Sequence, residues 1–310
     1  MVDRFRISLI GYGAVGRPLA QALAKSGAQL VTIGEHEDSE RVRVAQEDGF
    51  SVFPASLLRT DVDLLILTVG DQAIETVAGE IAGSIREEKK RNPEAPFGRT
   101  TKGTPRPAPV VMHTSGRLGL EPLAALIELG CPGLAWHPIQ TFPPFAAPER
   151  FEGISIGITC DEDAWEMGEY LCVQVGAEPL RVPEELRAKY HLGSVIASNF
   201  LPMLLEMGAQ RFAGIADTLE EAWTALLPLV KGMVESMERH GPAGAMTGPV
   251  ARDDLDAVIK HLNTFNRPDE AELYRAMTRA LVSLATRSGR MDDNQALEWL
   301  NWLGPGSGRN

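Results

Sequence analysis

The stretch "RFRISLIGYGAVGRPLAQALAKSG" constrains this chain more than any other. It predicts a strand over residues 5–10, the run Gly11-Tyr12-Gly13-Ala14-Val15-Gly16, and a helix ending near Gly27. A bare GxGxxG says little. Strand, glycines and helix in this order specify a βα turn that approaches a dinucleotide. Gly11 permits the tight turn, Gly13 lets the backbone come close to a pyrophosphate, and Gly16 lets the helix pack on the strand. The helix N-terminus offers N–H groups to the phosphates. Gly11, Gly13, Ala14, Val15 and Gly16 are therefore candidate cofactor contacts.

A second strand, "QLVTIGE", follows at the distance where dinucleotide folds place an acidic residue on the ribose. Glu35 would accept the ribose hydroxyls and repel a 2′-phosphate. Alternatively, Gly34 opens room for that phosphate, with His36, Arg41 or Arg43 as its cation. The cofactor is NAD or NADP, with NAD favoured. The βα rhythm continues through "GFSVFP", "DVDLLILTVG", "APVVMHTSG", "GLAWHPIQTF", "FEGISIGIT" and "AEPLRVP". The apolar run 64–69 reads as a parallel strand covered on both faces. The fold class is thus α/β, an N-terminal Rossmann domain with a doubly wound, mostly parallel sheet. Ligands bind beyond the C-terminal ends of such strands. Thr68, Val69, Gly70, Gln72, His113 and Ser115 are expected at the cofactor, with Gly116, His137 and Gln140 near the substrate. The segment 87–109 is charged, Pro-rich and aperiodic, and is expected to be a long mobile surface loop.

From Pro183 onward strand signals vanish and helical patterns take over. The expected division is a dinucleotide-binding domain over 1–183 and an all-α C-terminal substrate or dimerisation domain over 184–310. A net charge of −12 opposes nucleic acid or an anionic membrane as the main partner. The three cysteines, Cys131, Cys160 and Cys172, lack metal-ligand spacing and read as reduced small hydrophobes, and no metal is expected. No apolar run approaches membrane-spanning length, and a cytoplasmic protein is expected.

Two stretches of the helical half carry unexplained polar residues. In "KYHLGSVIASNFLPMLLEMG" helical spacing gathers His191, Ser194 and Ser198 on one side, with Asn199 close by, while Tyr190, Val195, Phe200, Leu201 and Leu204 can pack inward. In "GPAGAMTGPVARDD" glycines and prolines hold Thr247, Gly248 and Arg252 at the start of a helix, a geometry suited to an anion such as a substrate carboxylate.

A dinucleotide fold followed by helices is the layout of the 6-phosphogluconate dehydrogenase-like superfamily, which includes ketopantoate, pyrroline-5-carboxylate, 3-hydroxyacid and prephenate reductases and dehydrogenases. More narrowly, "HTSG", "WHPIQTF", "YHLGSVIASNF", "LLPLVKGMVESM" and "TGPVARDD" resemble, in this order, a bacterial family of Rossmann-like proteins with a C-terminal domain of unknown function. The resemblance runs from about residue 6 to residue 285. It implies an NAD(P)-dependent oxidoreductase, some members being similar to ketopantoate reductases, and a homodimer. It also implies that the polar helix faces the nicotinamide, so that His191 acts as general acid, Ser198 and Asn199 orient the substrate oxygen, and Ser194 supports them. His137 is the reserve donor. The Lys and Asn four residues apart that ketopantoate reductases use are missing, since neither Lys189 nor Asn199 has such a partner. That absence keeps a nucleotide-binding regulatory protein without turnover as the alternative.

Overall fold

The computed structural model describes residues 5–35, 40–54, 60–100 and 102–304. The chain divides into two compact units, Met1–Leu201 and Pro202–Asn310. The division falls later than the loss of strand signal at Pro183, because the first part of the polar helix packs with the first unit.

The first unit follows from alternating apolar runs and amphipathic stretches. In chain order it contains β1 (Arg6–Ile10), α1 (Gly16–Lys25), β2 (Gln29–Glu35), α2 (Glu40–Glu47), β3 (Val52–Pro54), β4 (Leu64–Leu67) and α3 (Asp71–Arg91). It continues with β5 (Val110–His113), α4 (Ala124–Ile127), β6 (Gly133–Pro138), β7 (Ser155–Cys160), α5 (Trp165–Val175), β8 (Glu178–Arg181) and α6 (Arg187–Ser194). The strands form one eight-stranded sheet in the order β3-β2-β1-β4-β5-β6-β7-β8. Every pairing is parallel except that of β6 with β7. On β4, Leu64 and Ile66 join the cluster under α1 and α5, while Leu65 and Leu67 join the one under α3. That is why the run is apolar at every position. The chain winds outward from β1 to β3, then returns to place β4 on β1's other side. A doubly wound sheet opens its ligand crevice at that switch point.

Segment 87–109 is not the mobile loop its composition suggests. α3 runs on to Arg91, Ala95 and Phe97 are buried, and Phe97 packs with Ile81 and Ile85. The Arg106 guanidinium donates to Asp63 at 3.1 Å. Two apolar anchors among many charges carry no period, so the pattern hides them. Thr101 lies outside the described residues.

The second unit holds α7 (Leu201–Gln210), α8 (Leu219–Gly244), α9 (Leu255–Leu262), α10 (Pro268–Arg287) and α11 (Asp293–Leu303). Its core gathers Met246, Val250, Val258, Val282, Trp299 and Leu303. Asp292 starts α11 in a reciprocal capping box with Gln295. Gly241 kinks α8 at φ +67°, and α7 runs on past Gly208 to Gln210. From Glu184 to Gln210 the chain is helical for 27 residues and, by length and composition alone, apolar enough to cross a membrane. This corrects the expectation that no stretch reaches that length; the polar residues punctuating the run conceal its continuity.

Candidate functional site

The glycine turn is built as its spacing requires. Gly11 sits at φ +92°, and a Cβ there would lie 2.8 Å from the Thr68 carbonyl oxygen. A Cβ on Gly16 would lie 2.0 Å from the Gly11 carbonyl oxygen. Gly13 is different. The nearest atoms to a Cβ there are those of the Arg41 guanidinium at 3.8 Å, so nothing in the protein demands glycine. The space in front of it is a cavity of about 770 Å³. Gly11, Gly13, Ala14 and Val15 line it from the first turn, and Thr68, Val69, Gly70 and Gln72 from the end of β4. Glu35, Ser115 and Arg41 complete its edge. α1 and α3 both begin at this cavity, with the Arg17 N–H already donating to the Gly13 carbonyl and the Ala73 N–H to that of Gly70, and the positive ends of both helices favour an anion there. A cradle with two helix N-termini and one unforced glycine fits a pyrophosphate.

The turn is braced from behind. The Tyr12 N–H donates to Glu35 Oε2 at 2.9 Å, and the Tyr12 hydroxyl donates to Asp48 Oδ2 at 2.7 Å. Arg17 grips both oxygens of Asp48, and this hydrogen-bonded pairing holds the Asp48 carboxyl below the usual carboxylate range. Glu35 is buried, so its carboxylate is committed to the turn as well as facing the cavity. Arg43 points outward toward Glu40 and Glu47, whereas Arg41 lines the cavity. His36 lies outside the described residues.

His113 does not join the cofactor contacts as expected. It is fully buried: its Nδ1 accepts the Ser115 N–H at 3.2 Å, which leaves Nε2 to donate to the Gly119 carbonyl at 2.7 Å. Burial also lowers its pKa. The imidazole therefore shapes the loop after β5 in neutral form. Ser115 lines the cavity, and its Oγ accepts the N–H groups of Arg117 and Leu118, which leaves the hydroxyl proton as a donor. Gln140, expected at the substrate, is exposed, and its Oε1 accepts the neighbouring Thr141 N–H.

Beside the cavity-lining Ser115 the loop after β5 meets the end of β6. A Cβ on Gly116 would lie 2.7 Å from His137 Nε2, so the imidazole covers the residue that follows Ser115. His137 Nδ1 lies 2.5 Å from the Tyr190 hydroxyl, the two rings meeting edge to face. Burial, with Arg187 and His191 nearby, lowers the His137 pKa to about 4. The Tyr190 ring fills the space above Gly157, and burial raises its phenol to about 12. Arg187 lies beneath at 3% exposure, donating from Nη1 to Thr159 Oγ1 at 2.9 Å and from Nη2 to the Ser115 carbonyl at 2.6 Å.

The polar stripe beyond Tyr190 is less organised. His191 is half-buried and makes no hydrogen bond among the described residues. The Ser194 and Ser198 hydroxyls bond back to carbonyls of their own helix, and Ser198 also donates to Asn199. Residues Val195–Asn199 form a π-turn, a feature frequent at functional sites. Phe200 and Leu201, expected to pack inward, are about half exposed. Thr247 and Arg252 are exposed in the second unit, and the next helix is capped by Asp254, whose carboxylate takes the Ala257 N–H. That helix start already holds an anion of its own. Burial raises the Cys131 and Cys172 thiols to about 12, as inert core cysteines require, and no metal-binding group of side chains occurs among the described residues.

Tyr190 and Arg187 were absent from the expected site, whereas Arg41 is one of the three cations the sequence offered for a 2′-phosphate. Arg187 and Tyr190 stand three apart, hence on one helix face, but a single arginine beside a tyrosine carries no motif.

Two family models match this chain. The acetohydroxy acid isomeroreductase NADPH-binding domain matches residues 1–92, and a domain of unknown function (DUF2520) matches residues 154–281. A Bacteroides fragilis protein described as a candidate NADP oxidoreductase is 19% identical, with a TM-score of 0.66 over 91% of this chain and 99% of its own. A pyrroline-5-carboxylate reductase of Streptococcus pyogenes is 13% identical, with a TM-score of 0.57 over 96% and 98%. An NADH-preferring ketol-acid reductoisomerase from an uncultured archean is 16% identical, with a TM-score of 0.54 over 95% and 92%. The chain has the α/β fold of NAD(P)-binding oxidoreductases, a Rossmann-like sheet followed by helices.

Proposed function

We infer that the protein is an NAD(P)-dependent oxidoreductase that transfers hydride to or from a small 2-keto or 2-hydroxy acid, with ketopantoate the first substrate to test. The observation that carries this reading is the 770 Å³ cavity at the sheet's switch point, where Gly13 is open and both α1 and α3 begin. The glycine turn and the two helix starts hold the pyrophosphate, and Glu35 or Arg41 meets the adenosine ribose. Once bound, NAD(P)H supplies hydride to the substrate carbon. The chain's own task is to hold the substrate and give its oxygen a proton. His137 is taken over His191 for that donor, because it overhangs Gly116, the neighbour of the cavity-lining Ser115. Ser115 donates its O–H to the substrate. A homodimer accompanies this reading, supported by the half-exposed Leu192, Ile196 and Phe200 on one helical segment and Leu229 and Val234 on α8.

Fluorescence titration with NADH and NADPH, followed by a screen of 2-keto acids, tests the proposal. No binding of either nucleotide refutes it. Tight binding with no turnover of any carbonyl compound favours the regulatory alternative. A monomer by light scattering at micromolar concentration ends the dimer reading.

A further inference from the structure

A buried arginine is ordinarily balanced by a carboxylate, since an uncompensated charge inside a protein is costly. Arg187 has none within ion-pair distance among the described residues. Its two bonded partners are neutral, Thr159 Oγ1 and the Ser115 carbonyl, and its Nε is buried without a partner. Its guanidinium carbon lies 5.8 Å from the centre of the Tyr190 ring. Among the described residues the Tyr190 hydroxyl has one bonded neighbour, His137 Nδ1 at 2.5 Å. The three side chains thus adjoin one another, from Arg187 in the core to His137 against Gly116, the neighbour of the cavity-lining Ser115.

We propose that Tyr190, His137 and Arg187 form a proton relay, in which Tyr190 supplies the proton that His137 passes to the substrate oxygen and Arg187 balances the phenolate left behind. The relay rests on the reading of His137 as the group that faces the substrate. As the carbonyl carbon receives hydride from NAD(P)H, its oxygen gains the electron pair of the C=O π bond. His137 gives that oxygen the Nε2 proton, and the Nε2–H bond breaks. Nδ1 takes the phenolic proton of Tyr190 in the same step, so the imidazole never carries a charge. The phenolate is reprotonated by water. The order of basicity drives the transfer, since an alkoxide is a stronger base than a phenolate.

Two features make the second donor necessary. The imidazole is held neutral near pH 7, so it has no extra proton to give and must be resupplied at Nδ1. The charged and titratable groups around it are Arg187, Tyr190 and His191 from the helical segment, Asp71 from the start of α3, and His113 on β5. Of these, the Tyr190 hydroxyl alone is hydrogen-bonded to Nδ1. Negative charge generated on that hydroxyl then meets the buried Arg187 guanidinium, which Glu184, Glu121 and Asp71 influence only from beyond ion-pair distance.

Tyr190→Phe keeps the ring above Gly157 and removes the relay oxygen. In nitrogen NMR spectra of the nucleotide-free, histidine-labelled protein, with His137 identified by its loss in His137→Gln, the wild type should carry its proton on Nε2. Tyr190→Phe should mix the tautomers. A wild-type His137 protonated on Nδ1, donating toward Tyr190, overturns the relay. With a substrate in hand, Tyr190→Phe should lower kcat by roughly 10²–10⁴-fold at unchanged nucleotide affinity; an unchanged kcat overturns it too. Arg187→Met should move the Tyr190 phenolate absorbance to higher pH, with Arg187→Lys restoring it. An identical phenolate titration in the folded variants removes Arg187 from the relay. If Arg187→Met does not fold, Arg187→Lys should retain kcat within about tenfold, and a loss as large as that of Tyr190→Phe refutes its part. Absence of any carbonyl turnover would end the functional reading, while the nitrogen spectra still decide the relay.

Discussion

Replacing His137 by Gln should remove a specific part of the protein's acid sensitivity. In the folded chain the imidazole titrates at about 4, because burial and the neighbouring Arg187 oppose its charged form. In the unfolded chain it returns to 6.5. Between those values the unfolded state binds more protons than the folded one, so stability falls as pH drops through the interval. The contribution is fully present above the unfolded value and is lost progressively as pH approaches the folded one. With each pKa unit worth about 1.36 kcal/mol, the loss from this one group between about pH 7 and about pH 5 comes to about 2 kcal/mol. Other carboxylates and His113, itself shifted down by burial, add their own pH dependence, and comparison of wild type with His137→Gln cancels them. Urea unfolding at the two pH values, with equal m-values in both proteins, measures the difference. The wild type should lose about 2 kcal/mol more than the variant. Equal losses would mean that His137 is not held neutral, and the argument for a resupplied donor would fail with it.

Gly13→Val and Gly16→Ala should separate ligand space from protein packing. Gly13→Val has open space around its Cβ and should stay folded while losing NADH and NADPH binding. Gly16→Ala forces a methyl against the Gly11 carbonyl and the Thr68 hydroxyl, and should lower stability by about 1–3 kcal/mol or more; thermal melts and fluorescence titrations of both variants check the pair. Glu35→Gln keeps an acceptor for the Tyr12 N–H but removes the charge, so NADPH affinity should rise several-fold relative to NADH. An unmoved ratio of dissociation constants would assign the choice to Arg41.

Much of the first unit was determined by its own sequence. GYGAVG after an apolar run leaves little choice of local structure, because Gly11 and Gly16 stand where the backbone tolerates no Cβ. The unbroken Leu64–Leu67 strand states that both its faces are covered. These signals are local, and local signals survive in a one-dimensional string. What the string could not decide was which polar residues meet. His113 ends β5 and His137 stands next to last on β6, yet one turns into the core to tie a loop and the other lies over Gly116, beside the cavity-lining Ser115. His191 stands out in a motif, while the adjacent Tyr190 makes the contact, since a turn of about 100° per residue sends neighbours to different surroundings. Arg187 owes its place to Thr159 on β7 and Ser115 after β5, separated from it by 28 and 72 residues. Such a site exists only once the sheet brings those strands together beneath one helix.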